Sequence, residues 1–254
     1  MARERTYRTE AIVLKRTDFG EADRLLTLFS KDLGKISAIA KGARKPQSRK
    51  TGHVELFMRS KFFIAKGRNL DIITQAEMID PHAPLREDLI RVSHASYAVE
   101  LLNRFTVEED PHPQIYDLLD DTLSRYSETD ELNLVTRYYE LRLLSLTGFQ
   151  PRLYHCVTCG EEIQEQDQFF SSDLGGILCP DCRHADPRAV AVSATAVKVM
   201  RYLQTRHWDA VKHLHLRKET QDELEQTMHR YILHMLEREL KSVDFLHQVQ
   251  NNKL

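Results

Sequence analysis

Hydrophobic and polar positions alternate with a strand-like period over about the first eighty residues and then change to a helical one. Residues 10–15 are short and β-branched, and residues 23–30 lie between turn chemistry at 18–21 and at 31–34. Residues 35–41 give a third strand. Residues 54–65 and 70–78 predict a hairpin around the turn-forming cluster at 66–69. Five short strands with no 3.6-residue stripe among them predict a small closed or partly closed β-barrel. An oligonucleotide-binding (OB) barrel has that strand count, and an SH3-like barrel would leave a similar string.

Past Pro81 and Pro84 the period lengthens. Residues 85–105 place Leu89, Val92, Ala95 or Ser96, Val99 and Leu102 on one stripe. Residues 115–126 and 132–146 repeat the pattern, with a polar connection at 127–130 between them. Ser193 is placed to cap a helix over 194–205, and residues 220–240 set Leu224, Met228, Tyr231, Ile232, Met235 and Leu236 on one side. There is no internal repeat and no long linker. The expected fold is α+β, with an N-terminal OB-fold barrel over residues 1–80. A helical domain follows over 81–254, interrupted by an insert at about 150–190.

Composition sharpens this picture in one respect. With 254 residues, 41% of them apolar, the chain can bury a core and is too apolar for a disordered protein. No run approaches the roughly 20 apolar residues that span a bilayer, and the polar, charged start does not resemble a secretion signal, so the expected location is cytoplasmic. The net charge of −2, however, is an average over two unlike parts. Residues 1–80 carry 17 Lys and Arg against 10 Asp and Glu, net +7, and the remainder carries 19 against 28, net −9. Such asymmetry is expected where one part meets a polyanion and the other does not.

The cysteines all fall in the insert, as Cys156-Val-Thr-Cys159 and Cys179-Pro-Asp-Cys182. Two C-x2-C knuckles at this separation bring four thiolates to one tetrahedral zinc, and Gly160 suits the turn after the first pair. A disulfide pair does not suit a reducing compartment, and a redox motif would sit between a strand and the helix of a βαβ unit, which neither pair does. Four sulfurs fill the coordination shell, so the expected zinc is structural, with His155 and His184 as bystanders.

Residues 41–50 hold five positive charges, Lys41, Arg44, Lys45, Arg49 and Lys50, and no acid occurs from Gly34 to Val54. Following the third strand, this segment is a rim loop whose cations can lie along a phosphate backbone with salt-sensitive, sequence-independent affinity; the plain alternative is a solvated loop. Lys15, Arg16, Arg24, Lys35, Arg59, Lys61 and Arg68 extend the basic character. Phe19, Phe29, Phe57, Phe62 and Phe63 are candidates to stack on bases, although strand spacing reads them first as core.

Neither a G-x-x-x-x-G-K-[ST] loop nor a G-x-G-x-x-G turn occurs. The acidic clusters at 108–110 and 117–121 read as solvated helix surface rather than as a magnesium site, and His213 with His215 lacks further ligands at suitable spacing. No catalytic constellation is present, so no enzyme activity is expected.

Two stretches then resemble a known family. Residues 20–30 with 34–49 are similar to the amino-terminal domain of the bacterial recombination mediator family RecO, and residues 148–160 resemble that family's approach to its first zinc knuckle. The resemblance covers essentially the whole chain. It implies binding of single- and double-stranded DNA and annealing of complementary strands. It also implies, with RecR, help in loading RecA on strands coated by single-strand binding protein (SSB), and a nucleoid-associated location. The DNA contacts it implies map to Lys41, Arg44, Lys45, Arg49 and Lys50, with Lys35 and Arg24 added from the charge of the neighbouring strands. The metal ligands are expected to be Cys156, Cys159, Cys179 and Cys182. Some family members lack the cysteines, which separates the zinc from the activity. A zinc-stabilised adapter binding only proteins is the alternative.

Overall fold

The computed structural model describes the backbone of residues 5–45, 47 and 51–251, and side chains as far as residue 237, Thr51 excepted. The packing divides the chain into two compact units, residues 1–135 and 136–254.

In the first unit, β1 (Thr6–Phe19), β2 (Asp23–Ser30), β3 (Gly34–Ala40), β4 (Arg59–Ala65) and β5 (Asp71–Asp80) close a barrel in the order β1-β2-β3-β5-β4. The parallel pair is β3 with β5, joined at Ala38–Asp71 and Ile39–Ile72. This is the OB-like arrangement. Alternate side chains fill the interior: Ala11, Val13, Leu26, Leu28, Ala38, Ala40, Phe62, Ile64 and Ile73. Burial of this face is what the period-two pattern records.

Two strand expectations change. β1 runs through Asp18 to Phe19, because β2 pairs with it down to Phe19–Asp23 and leaves only a tight turn in which Gly20 has φ +58°. Residues 54–58, read as strand, instead form a turn. Phe57 has φ +67° there, its N–H bonds to the Val13 carbonyl (2.9 Å), and the Val13 N–H returns to the Met58 carbonyl (2.9 Å). These bonds serve β1 at the bulge where its register shifts between Val13 and Lys15.

Helices α1 (Pro84–Glu87), α2 (Leu89–Phe105) and α3 (Pro113–Glu128) pack with the barrel, and α4 (Leu132–Leu146) contains the boundary between units. The single helix expected over 85–105 breaks at Asp88, whose extended backbone lets its carboxylate accept the N–H groups of Ile90 (2.7 Å) and Arg91 (3.0 Å). Leu89, expected on the buried stripe, therefore sits in an exposed first turn, and burial begins at Ala95. The Tyr116 ring of α3 stacks with Phe29 (centroids 6.3 Å) and its hydroxyl donates to Glu10 (3.1 Å). Asp117 pairs with Lys31 and Asp120 with Arg59, each at 2.7 Å, so this acidic run is in part an ion-pairing face toward the barrel rather than solvated surface.

The second unit carries a sheet of order β7-β6-β8, formed by β6 (Gln168–Ser171), β7 (Gly176–Leu178) and β8 (Val190–Val192), followed by α5 (Ala194–Thr205), α6 (Trp208–Val211) and α7 (Lys218–Asn251). Ser193 caps α5 as expected, accepting the Ala196 N–H at 3.1 Å. On α7, Leu224, Met228, Tyr231, Ile232 and Met235 are buried and Leu236 is half-buried, so the stripe read from sequence is the packed face. No described helix is long and apolar enough to cross a membrane.

Candidate functional site

The loop after β3 is fixed at its base before it presents any charge. Ala43 is buried in the barrel core, the Gly42 N–H donates to the Asp23 carboxylate (2.7 Å), and the Arg44 N–H donates to the Ala22 carbonyl (2.9 Å). The start of the loop is thereby tied to the β1–β2 turn. Gly42 has φ +67°, a conformation a side chain would strain. From this base Lys41, Arg44 and Lys45 stand exposed. The Arg44 guanidinium lies 3.4 Å from the Asp18 carboxylate and 3.4 Å from the Gly20 carbonyl, which holds it over the turn. Asp23, as the loop's anchor, carried no sequence signal beyond its place at a strand start.

The barrel mouth beneath the loop is already neutralised. β1 residues 16 and 18 and β2 residue 24 pair in register with inward-facing Leu26 and Ala40, so their side chains point to the interior side. There Arg16 and Arg24 both meet Glu55, Arg24 at 2.8 Å, and Arg24 also lies 3.5 Å from Asp18. Arg24, expected among the DNA contacts, is thus an internal counter-ion whose side chain is only 16% exposed.

Lys35 departs further from expectation. It is buried, and its ammonium donates to the Asn103 carbonyl (3.0 Å), the Asn103 side-chain oxygen (3.0 Å) and the Thr106 carbonyl (2.8 Å). A cation there meets the unpaired carbonyls and negative dipole end of α2. Burial holds its pKa below the usual lysine value, against the opposing charge of Glu108. Its donors are committed inside the protein, where Lys35 caps the end of α2. Arg49 and Lys50 lie outside the described residues. Lys15, Lys61 and Arg68 are exposed and their side chains make no ion pair or hydrogen bond among the described residues, whereas Arg59 is held by Asp120. Of the aromatic candidates, Phe29, Phe57 and Phe62 are core and Phe63 is half-buried with the Arg8 guanidinium 4.7 Å above it. Phe19 alone is exposed, at 54%.

In the second unit the two knuckles converge. The four cysteine sulfurs lie within 4.8 Å of one another, those of Cys159 and Cys179 at 3.9 Å, and the rings of His155 and His184 are not part of the cluster. Tetrahedral coordination with metal–sulfur bonds of about 2.3 Å needs sulfurs about 3.8 Å apart, so the arrangement fits one ion. Each knuckle is built by backbone bonds: Gly160 N–H to Cys156 carbonyl (2.9 Å), and Cys182 N–H to Cys179 carbonyl (3.0 Å). Gly160 takes φ +78° in the first, and the Cys179 N–H also points at the Cys156 sulfur (3.4 Å). Burial alone would raise the Cys156 thiol, but the N–H groups of Cys159, Cys179 and Thr158 outweigh it and bring the pKa down to about 6. Burial holds the Cys179 thiol up, and hydrogen bonding to Cys179 pushes Cys182 to about 12. One thiolate forms readily and its neighbours resist, a pattern that a bound cation reverses by stabilising every thiolate at once.

An OB-like barrel with a cationic rim loop, in one chain with a helical part that carries four clustered cysteines, is the combination to be placed among known proteins. The comparisons with known proteins place it in one family. Its residues 1–82 match the family model "Recombination protein O N terminal" and residues 86–244 match "Recombination protein O C terminal". It is 41% identical to the DNA repair protein RecO of Roseiflexus sp. over 98% of this chain and 87% of that one. The corresponding protein of Desulforudis audaxviator is 39% identical over 96% and 97%, and that of Dehalococcoides mccartyi strain 195 is 35% identical over the full length of both. The chain belongs to the RecO family, recombination mediators of DNA repair.

Proposed function

We propose that this chain is a non-enzymatic mediator that binds single- and double-stranded DNA through the barrel rim and anneals complementary strands. In this reading residues 1–80 are the DNA-binding domain, and residues 81–254 are a helical domain with its metal-bearing insert at about 150–190. With RecR, it assists RecA onto strands coated by SSB, in a cytoplasmic, nucleoid-associated setting. The observation that carries the reading is the anchored loop with Lys41, Arg44 and Lys45 exposed together, Arg44 held over the turn by Asp18, above Arg16 and Arg24 paired to Glu55. Cations presented on a fixed base screen the repulsion between two phosphate backbones, so pairing proceeds without nucleotide hydrolysis. Arg49 and Lys50 continue the same charge along the sequence.

The metal is zinc in this reading, held by Cys156, Cys159, Cys179 and Cys182. What supports zinc is an all-thiolate donor set at tetrahedral spacing. When bound it supplies cross-linking of the insert and no Lewis-acid chemistry, since four sulfurs leave no open position.

The test is annealing of two complementary oligonucleotides without ATP, with the wild-type chain and with R44E/K45E. The wild type accelerates annealing and the double variant loses most of that acceleration. Equal rates for both chains would overturn the assignment of the loop, and a wild type that retains no DNA at low salt would favour the protein-only adapter.

A further inference from the structure

Phe19 is the most exposed large aromatic among the described residues, and it stands where the cationic loop meets the barrel. It ends β1 opposite Asp23, the residue that anchors the loop through the Gly42 N–H, and it directly precedes Gly20, whose carbonyl lies within reach of Arg44. From Lys15 to Phe19 the pairing with β2 is regular, so alternate residues share a face. Arg16 and Asp18 take the interior side with the ion pairs described above. Lys15, Thr17 and Phe19 take the outer side, and all three are exposed. This outer strip ends in an aromatic ring beside exposed cations and includes at Lys15 a cation with no partner among the described residues.

More than half of the Phe19 surface stays in water, so a large apolar face is left without a partner within the unit. Its position selects one kind of partner. Phosphates drawn to Lys41, Arg44 and Lys45 bring the attached bases over the end of β1, and an unpaired base there has an open π-face. In a duplex the bases are stacked on one another and offer only groove edges. We infer that Phe19 is a base-stacking platform for single-stranded nucleic acid, adding a preference for unpaired strands to a loop whose charge alone does not discriminate. The inference rests on the proposed binding of DNA by the loop.

The turn geometry is consistent with a fixed platform. Gly20 at φ +58° turns the chain sharply after the ring, toward β2. The other four phenylalanines named from sequence are buried or covered, so removing them would test folding rather than stacking.

The experiment is equilibrium binding of a labelled oligothymidylate and of a blunt duplex of equal length at two salt concentrations, using the full chain. The proteins are wild type, F19A, F19W and R44E/K45E. F19A should weaken single-strand binding roughly tenfold and lower the ratio of single-strand to duplex affinity by a similar factor, with an unchanged salt slope, because stacking releases no counterions. F19W should restore the affinity and show fluorescence quenched by the oligonucleotide beyond the signal of Trp208, the chain's one tryptophan. R44E/K45E should weaken both ligands and flatten the salt slope. If F19A binds the single strand as wild type does, or loses both ligands equally, the stacking assignment is overturned. R44E/K45E in the same titration then shows whether the loop reading stands without it or falls too. Circular dichroism of F19A excludes misfolding, which an exposed position does not favour.

Discussion

Lys35 shows how far one side chain's role depends on residues distant in sequence. Within its own strand it reads as a barrel cation, but its acceptors are at Asn103 and Thr106, and they turn it into the cap of α2. Lys35→Met should therefore lower folding stability by about 2 kcal/mol or more, as buried carbonyls lose a charged donor. DNA affinity of the folded protein should stay unchanged; a loss of affinity without a shift in the urea midpoint would return Lys35 to the binding surface. Two tyrosines give a pH signature at the same scale. Burial, the hydrogen bond to Asp71 (2.6 Å) and that carboxylate's charge raise the Tyr7 pKa; burial and the Glu10 carboxylate raise that of Tyr116. A phenol whose pKa is higher in the folded state contributes stability that is fully present below the unfolded value of about 10 and is lost as pH rises above it. Stability should thus fall above pH about 10, and Tyr7→Phe and Tyr116→Phe should each make that fall shallower in urea titrations.

At the scale of elements, what could be read from sequence follows from which interactions are local. The strands and the α7 stripe were legible because burial of one face imposes a period that the sequence must repeat. The capping of α5 by Ser193 was legible because donor and acceptor lie three residues apart. Residues 54–58 were not, since Val54 and Met58 are core residues whose pattern continues that of β4 while the backbone turns at Phe57 to reach Val13, 44 residues earlier. The break at Asp88 was hidden for a related reason: the apolar residues on either side of it keep a helical spacing. The four-sulfur cluster was legible outright, because C-x2-C knuckles are local structures and only one ion needs to join them. Its removal should act on one element group. Chelation with mild denaturant should abolish hydrogen-exchange protection in β6, β7 and β8 while the barrel strands keep theirs. Protection retained in that sheet after complete metal loss, or a wild-type chain purified without stoichiometric zinc, would contradict the structural role.

For the molecule as a whole, a net charge of −2 resolves into a basic barrel segment and an acidic remainder, and the structure refines what that division means. Much of the barrel's positive charge is spent internally: Arg16 and Arg24 on Glu55, Arg59 on Asp120, Lys31 on Asp117, Lys35 on a helix end. Lys41, Arg44 and Lys45 stand exposed together at the anchored loop, with Lys15 on the outer strip of β1 and Lys61 and Arg68 on β4 and the turn that follows it. In the proposed reading the total of +7 therefore overstates the interface, and the ten-residue basic run marks it more closely. On this reading the charge that meets DNA is localised at the anchored loop. The most direct measurement is the slope of log affinity against log salt for a single-stranded oligonucleotide, compared between wild type and R44E/K45E. The wild type should show a steep negative slope that becomes shallower by about 1.4 in the double variant, two phosphate contacts at about 0.7 each, with affinity reduced across sequences. An unchanged slope and affinity would contradict this localisation.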